Sequence, residues 1–165
     1  MQPAIARFLR KSAMTIPLVL GLSDVTLFSQ SARPGAKTAH PPTIGFIQNR
    51  GDSNNEGCIL WLRGDRSHSY HRVILLSEFN DRAIMNIGGQ DMALEFVDTT
   101  NDGKGTIGAR SMDHYRGEGV DVVVRYVLTG HCKDEGCEDA YYNATLTVKT
   151  SSGKQVMRAH GACGG

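Results

Sequence analysis

The chain has 165 residues, a length that fits one domain, with 40% hydrophobic and 21% charged residues. Its 18 basic and 17 acidic residues are mixed along the chain and give a net charge of +1. Because the basic residues are not clustered, the sequence does not predict binding to nucleic acid or to an anionic membrane surface. The 19 glycines and only 5 prolines indicate many tight turns.

The N-terminal residues are ordered like a secretory signal peptide. Basic residues come first, a mostly apolar run follows over 13–28, and small residues lie after it. Asp24 interrupts the run, whereas a membrane anchor needs about 20 unbroken apolar residues. We predict export, with an uncleaved anchor and a cytosolic start as the alternatives.

Export divides the chain into three parts. Residues 1–36 are the predicted signal peptide, with cleavage between about residues 31 and 39, followed by a linker over 37–42. Residues 43–165 form a single β domain. We expect a soluble monomer in the periplasm or outside the cell, without a membrane span once the signal peptide is removed.

Short alternating segments separated by turn signals follow from Cys58 onward. In the clearest of them Val120 and Val122 share one face, while Asp121 and Arg125 point the other way. After the predicted signal peptide, no window of about 11 or more residues keeps a helical period. We predict an all-β fold, a small antiparallel barrel or sandwich of about eight strands, rich in meanders and stabilised by disulfides. The predicted strands cover 58–62, 70–78, 82–87, 90–97, 119–128, 141–149 and 154–163.

Four cysteines suit two disulfides in an oxidising compartment. Cys58 shares the core face of its strand with Leu60, and the phase of the last strand places Cys163 on the core face as well. Of the three possible pairings, the pattern favours Cys58–Cys163, which would tie the first core strand to the last. Cys132–Cys137 would then close the tip of a hairpin.

Three segments have part of a cofactor or metal motif. GKGTIG (103–108) has the glycine spacing of a dinucleotide loop, but no strand and helix surround it. Residues 98–109 begin like a calcium loop, yet Ala109 stands where a bidentate Glu is required, so calcium binding there stays open. HCKDEGCED (131–139) has zinc-type residues, but an oxidised, disulfide-closed acidic loop fits an exported protein better. We expect no cofactor and no metal.

The six histidines belong to no recognisable catalytic motif. Members of a catalytic triad meet in space and not in sequence, so an enzyme remains an alternative. It would be a hydrolase with a dispersed site around His68, His71 or His114. That hypothesis requires one of these rings within hydrogen-bond reach of a carboxylate and a serine hydroxyl, in a concave pocket.

The tripeptide Arg-Gly-Asp occurs twice, over 50–52 and 63–65, and Ser53 follows the first copy. Arg-Gly-Asp-Ser is a cell-adhesion signal when a loop exposes it. Gly-Asp is also favoured turn chemistry, and both copies fall at strand ends. We interpret both as turns that frame the strand around Trp61.

Polar loops on a compact scaffold favour a binding module or inhibitor that acts on a protein or glycan partner, with a structural envelope component as a further alternative. In general architecture the chain is similar to the small bacterial lysozyme inhibitors, which are exported β-barrels with disulfides. Their Ser-Gly-x-x-Tyr motif is absent here, so no inhibitory residue is carried over. The candidate contact residues are Trp61, Arg63, Asp65, Arg66, Tyr70, Tyr115 and Arg116.

Overall fold

The computed structural model describes residues 40–49, 56–103 and 105–164. The predicted signal peptide and the first Arg-Gly-Asp copy lie outside these residues. Within them the chain forms nine strands and a short 3-10 helix, Tyr70–Arg72. The strands are β1 (Ile44–Gly45), β2 (Gly57–Leu62), β3 (Val73–Glu78), β4 (Arg82–Ile87), β5 (Gln90–Asn101), β6 (Arg110–Gly117), β7 (Val120–His131), β8 (Ala140–Thr150) and β9 (Gly153–Gly164). No helix in this part of the chain is long and apolar enough to cross a membrane.

Strands β2 to β9 form a closed antiparallel barrel of eight strands. Each strand pairs with the next one along the chain, and β9 pairs with β2. The two-residue strand β1 adds to β4 beside the barrel. The predicted all-β meander is confirmed, and closure of the sheet makes it a barrel instead of a sandwich.

Alternate residues of each strand fill the barrel interior. In β7, Val120, Val122 and Val124 are buried, whereas Arg125 is exposed. Branched side chains suit these positions because they pack well on a pleated sheet. Burying one such aliphatic side chain contributes about 1.5–3 kcal/mol, so this core is the main source of stability. The same interior cluster contains Leu60, Leu75, Met85, Leu94 and Leu146.

Both predicted disulfides are confirmed. Cys58 and Cys163 lie directly opposite each other where β2 pairs with β9, so their bond joins the strands that close the barrel. Cys132 and Cys137 are bonded in the connection between β7 and β8. The backbone N–H of Cys132 also donates to the Asp139 carbonyl at 2.8 Å, which narrows this connection into a hairpin tip.

The structure differs from the predicted strands in several places, among them the unpredicted β1 and the continuation of β5 from residue 97 to Asn101. The segment predicted as one strand over 70–78 begins with the 3-10 helix, because the Ser69 hydroxyl caps it by accepting the His71 N–H at 3.3 Å. Strand β6 was not predicted. Its inward-facing residues include the polar Ser111 and Asp113, so the segment lacks the alternation of apolar and polar residues that marks a half-buried strand.

Residues 44–49 cover one side of the barrel. Ile47 is buried in a small outer cluster with Val73. The Asp91 carboxylate accepts the backbone N–H groups of Gln48 and Asn49 at 2.9 and 2.6 Å. These contacts fix the covering segment over β3 and β4.

Candidate functional site

Four arginines share one groove on the outer surface of the barrel. Strand register places Arg125 beside Thr145, and Thr145 beside Arg158, on three neighbouring strands. The backbone N–H of Arg63 donates to the Arg158 carbonyl at 3.0 Å, and Arg110 at the start of β6 completes the set. The groove has a volume of about 810 Å³. Arg63, Arg110, Arg125 and Arg158 are called the arginine face below.

The positive charge of the arginine face is not neutralised by the described residues. All four side chains are exposed, and in the ranges described none forms an ion pair with a carboxylate. Asp102 lines the same groove, where its carboxylate accepts the backbone N–H of Arg110 at 2.8 Å, and its single negative charge leaves the four arginines in excess. Neighbouring strands lie about 4.8 Å apart, so the backbones of Arg125 and Arg158 are about 10 Å apart. Two carboxylates can therefore bind at once, each in the bidentate geometry that a guanidinium offers.

Three aromatic rings adjoin the arginine face and are called the aromatic cluster. The ring centroids of Trp61 and His68 are 5.4 Å apart, those of His68 and His160 are 5.3 Å apart, and those of Trp61 and His160 are 6.2 Å apart. Asn143 lines both the arginine groove and the cavity of about 430 Å³ beside these rings. Burial lowers the pKa of His160 and the neighbouring His68 lowers it further, so the His160 ring is neutral at pH 7.

The loop between β2 and β3 holds His68 in place with its own polar side chains. The Asp65 carboxylate accepts the backbone N–H and the hydroxyl of Ser67 at 3.0 and 2.7 Å. The Ser67 hydroxyl accepts the Ser69 N–H at 3.2 Å, and the Ser69 carbonyl accepts the indole N–H of Trp61 at 3.1 Å. His68 has a φ of 44°, a left-handed conformation that needs such support in a residue other than glycine. The rings are therefore presented by an ordered loop.

The second Arg-Gly-Asp copy is a turn whose carboxylate is occupied. The Asp65 N–H donates to the Leu62 carbonyl at 3.0 Å, and Gly64 has a φ of 93°. The Asp65 side chain is only 6% exposed and forms an ion pair with Arg72 at 2.7 Å. Hydrogen bonds from Ser67 hold the pKa of Asp65 below its ordinary value, and the charge of Arg72 also lowers it. The interpretation of this copy as a turn is confirmed, and its aspartate is not free to bind a receptor.

The other predicted contact residues lie on different faces of the barrel wall. Arg66 is exposed in the loop between β2 and β3. Tyr70 begins the 3-10 helix, and its side chain lies outside the described part of the chain. Arg116 is on the outer surface, where it forms an ion pair with Asp121 at 3.6 Å. Tyr115 is only 2% exposed and faces the interior, because successive residues of a strand point to opposite faces. It is therefore not available as an outer contact.

The hydrolase hypothesis needs a geometry that the described residues do not form. His114 has a carboxylate partner, since its Nε2 atom lies 2.8 Å from Asp121 Oδ2, and its Nδ1 atom lies 3.9 Å from Asp98 Oδ1. No serine hydroxyl in the described ranges bonds to the His114 ring. In the same residues the rings of His68 and His71 bond to neither a carboxylate nor a serine hydroxyl.

The segments considered for metal binding are engaged in other contacts. Residues 98–101, which begin the calcium-like segment, belong to β5 and pair with β6. The cysteines of the 131–139 segment are bonded to each other. Among the described residues no group of three or more His, Cys, Asp or Glu side chains is placed to hold a metal ion.

Arg110, Arg125, Arg158 and His160 were not among the predicted contact residues. Each one points outward from an ordinary strand, so nothing in its own neighbourhood marks it. The available signal was the position of Arg125 and Arg158 opposite the core phase of their strands. Only the register of β7, β8 and β9 shows that they lie in one groove.

No protein-family model matches this chain, and comparison with the curated proteins and with the solved structures finds no match. The function is therefore inferred from the geometry of the described residues.

Proposed function

We propose that this protein is a non-catalytic binding module, exported to an oxidising compartment, that binds an acidic segment of a partner protein on its arginine face. The observation that carries the proposal is the presence of four exposed arginines in one groove without a carboxylate partner among the described residues. The two disulfides suit an oxidising compartment.

The residue types on this surface are those that dominate protein interfaces. Trp, Tyr and Arg account for most of the side chains whose removal weakens complexes strongly. Trp61 is held by its hydrogen bond to Ser69, and Tyr141, 45% exposed, lines the adjoining cavity. Arg125 and Arg158 lie on β7 and β9, and each of these strands pairs with β8. Their backbone is therefore already ordered and loses little conformational freedom on binding, which favours affinity.

Charge and shape favour an acidic peptide over a glycan. The four exposed guanidinium groups attract carboxylates, whereas a neutral glycan offers them no charge to bind. The groove crosses the outer surface from β5 to β9 and can admit an extended chain. Alternate side chains of an extended peptide point the same way and are about 7 Å apart, which suits two carboxylates reaching Arg125 and Arg158 together.

Capture of binding partners from envelope and secreted fractions tests the proposal. The bait is the exported protein with both disulfides formed, compared with an Arg125→Ala/Arg158→Ala variant. Arg116→Ala is the matched control, because it removes an exposed arginine that already has an acidic neighbour. We expect a partner that the wild type and the control retain and the double variant loses, with weaker retention at higher salt.

The purified partner then gives a quantitative test. Its dissociation constant should rise roughly tenfold or more in the double variant, because two charged contacts are lost. Equal affinity of the wild type and the double variant would contradict the assignment of the arginine face. Capture of a sulfated glycan in place of a protein would contradict the assignment of the partner class.

A further inference from the structure

A second cavity, of about 300 Å³, lies inside the barrel at the end that carries the Cys132–Cys137 hairpin. The Cys58–Cys163 disulfide forms part of its wall, and Phe79 lies at the rim, 54% exposed. An eight-stranded barrel is wide enough to hold one small ligand where side chains do not fill it. Barrel mouths of this kind are common sites for small molecules.

The floor of this cavity is aromatic. Phe96 and Tyr115 form one edge-to-face pair with ring centroids 5.9 Å apart, and Tyr126 and Tyr142 form another at 5.7 Å. Such rings attract a cation through the negative potential of their faces. The aromatic floor therefore favours a positively charged ligand over an anion.

A carboxylate without a basic partner supplies negative charge in the same place. Asp113 accepts hydrogen bonds from the Thr99 hydroxyl at 2.8 Å and from the Tyr115 hydroxyl at 3.3 Å, both of them neutral donors. Within the described ranges it forms no ion pair with Lys, Arg or His. The other carboxylate on the cavity wall, Glu78, is already bound by the Arg82 guanidinium at 3.0 and 3.1 Å. Asp113 has oxygen lone pairs left to accept further hydrogen bonds.

One hydroxyl in the cavity lacks a hydrogen-bond partner. Tyr126 is 3% exposed, and its hydroxyl is fully buried beside Asp113 and Ser77, without a hydrogen bond of good geometry to any described residue. Burial raises the pKa of Tyr126, and the nearby Tyr115 and Asp113 raise it further, so the phenol keeps its proton at neutral pH. A neutral phenol offers an oxygen that accepts a hydrogen bond from a ligand N–H group. Leaving such a group unsatisfied is costly in free energy and therefore calls for an explanation, and a bound ligand that donates to it supplies one.

We propose that the open end of the barrel binds a small organic molecule with a primary ammonium group. The ammonium would donate to the Asp113 carboxylate and the Tyr126 hydroxyl, and the hydrocarbon part would pack on Phe96 and Tyr142. A primary ammonium fits better than a quaternary one, because only the former has N–H groups for these oxygens. This cavity adjoins the arginine groove, since Asn101, Ser111 and Tyr126 line both, but the proposed ammonium contacts none of the four arginines.

Titration of the exported, disulfide-bonded protein with phenethylammonium, followed by NMR or calorimetry, tests this proposal. The matched probes are 2-phenylethanol, which lacks the charge, and phenylacetate, which reverses it. We expect saturable binding of phenethylammonium at millimolar concentrations or below, and binding of the other two weaker by about tenfold or more. No saturable binding of phenethylammonium, or equal binding of the alcohol, would overturn the proposal.

Variants locate the binding. Asp113→Asn should weaken phenethylammonium binding by about tenfold or more, while Asp98→Asn, which removes an exposed carboxylate from the outer surface, should leave it unchanged. Tyr126→Phe removes only one hydroxyl and should weaken the primary ammonium several-fold without changing the affinity for tetramethylammonium. Tyr126→Phe also serves as the test if Asp113→Asn melts at a much lower temperature than the wild type and its weaker binding could reflect unfolding. Wild-type affinity in Tyr126→Phe and in a folded Asp113→Asn variant would place the ligand elsewhere.

Discussion

Replacing Cys58 and Cys163 by alanine should destabilise the barrel far more than removing the other disulfide. The two residues are 105 apart in sequence, and the chain-entropy estimate for a loop of this length is about 4.8 kcal/mol. The Cys132–Cys137 bridge spans 5 residues, for which the same estimate is about 2 kcal/mol. Register already holds Cys58 opposite Cys163 in the folded barrel, so the effect comes mainly from the greater freedom of the unfolded chain.

Urea unfolding of the wild type, Cys58→Ala/Cys163→Ala and Cys132→Ala/Cys137→Ala, followed by far-UV circular dichroism, measures these losses. The two variants should differ by about 3 kcal/mol in the free energy of unfolding. Domains of this size are stable by about 5–15 kcal/mol, so the first variant should lose about a third or more of its stability and unfold at a clearly lower urea concentration than the wild type. Equal losses, or a smaller loss for the variant that lacks the long-range bridge, would refute the reasoning.

Two further predictions concern single residues. Gly161→Ala should cost about 1–3 kcal/mol in thermal unfolding, because its Cβ would overlap the Ile59 carbonyl oxygen; Gly130→Ala, whose Cβ would meet only a ring atom at 3.9 Å, is the control and should cost less. Similar costs for the two would contradict this packing. Trp61 is the one tryptophan of the chain, so its fluorescence should report protonation of His160. The measurement is made in a His68→Gln background, because the His68 ring lies closer to Trp61, at 5.4 Å, and would add its own signal. Burial lowers the pKa of His160, so the midpoint should lie below pH 6.5 and a further His160→Gln change should abolish the transition; a midpoint above 6.5 would argue against it.

Strand phase was enough to predict the disulfide that closes the barrel. Cys58 and Cys163 each lie on the core face of their own strand, and this can be read from local alternation alone. Because an antiparallel meander brings its first and last strands together when it closes, the pairing follows from the strand assignments. The buried valines of β7 could be predicted for the same reason.

Strand β6 could not be predicted from the alternation of apolar and polar residues. Ser111, Asp113 and Tyr115 face inward and line the cavity at the barrel end, so the strand carries polar groups where the alternation rule expects apolar ones. A strand that contributes to a polar cavity therefore resembles a loop in sequence. For the same reason Tyr115, next to the outward Arg116, could not be assigned to the interior from its neighbours.

The arginine face could not be predicted from the sequence for a different reason. Arg125 and Arg158 belong to strands joined through β8, and their proximity depends on the register of two hairpins. Register in turn depends on the turns and bulges of each hairpin, such as the shift between Leu128 and Gly130 in β7. Sequence alternation gives the face on which a residue lies, but not which outward residue of the neighbouring strand lies beside it.

The most direct test of the proposed function is an amide chemical-shift map of the exported protein titrated with its purified protein partner. The binding proposal predicts that the largest changes fall on Arg125, Thr145, Arg158 and His160, and that raised salt weakens them. Changes confined to the barrel end around Asp113, or to the outer surface of β4, would contradict the assignment of partner binding to the arginine face.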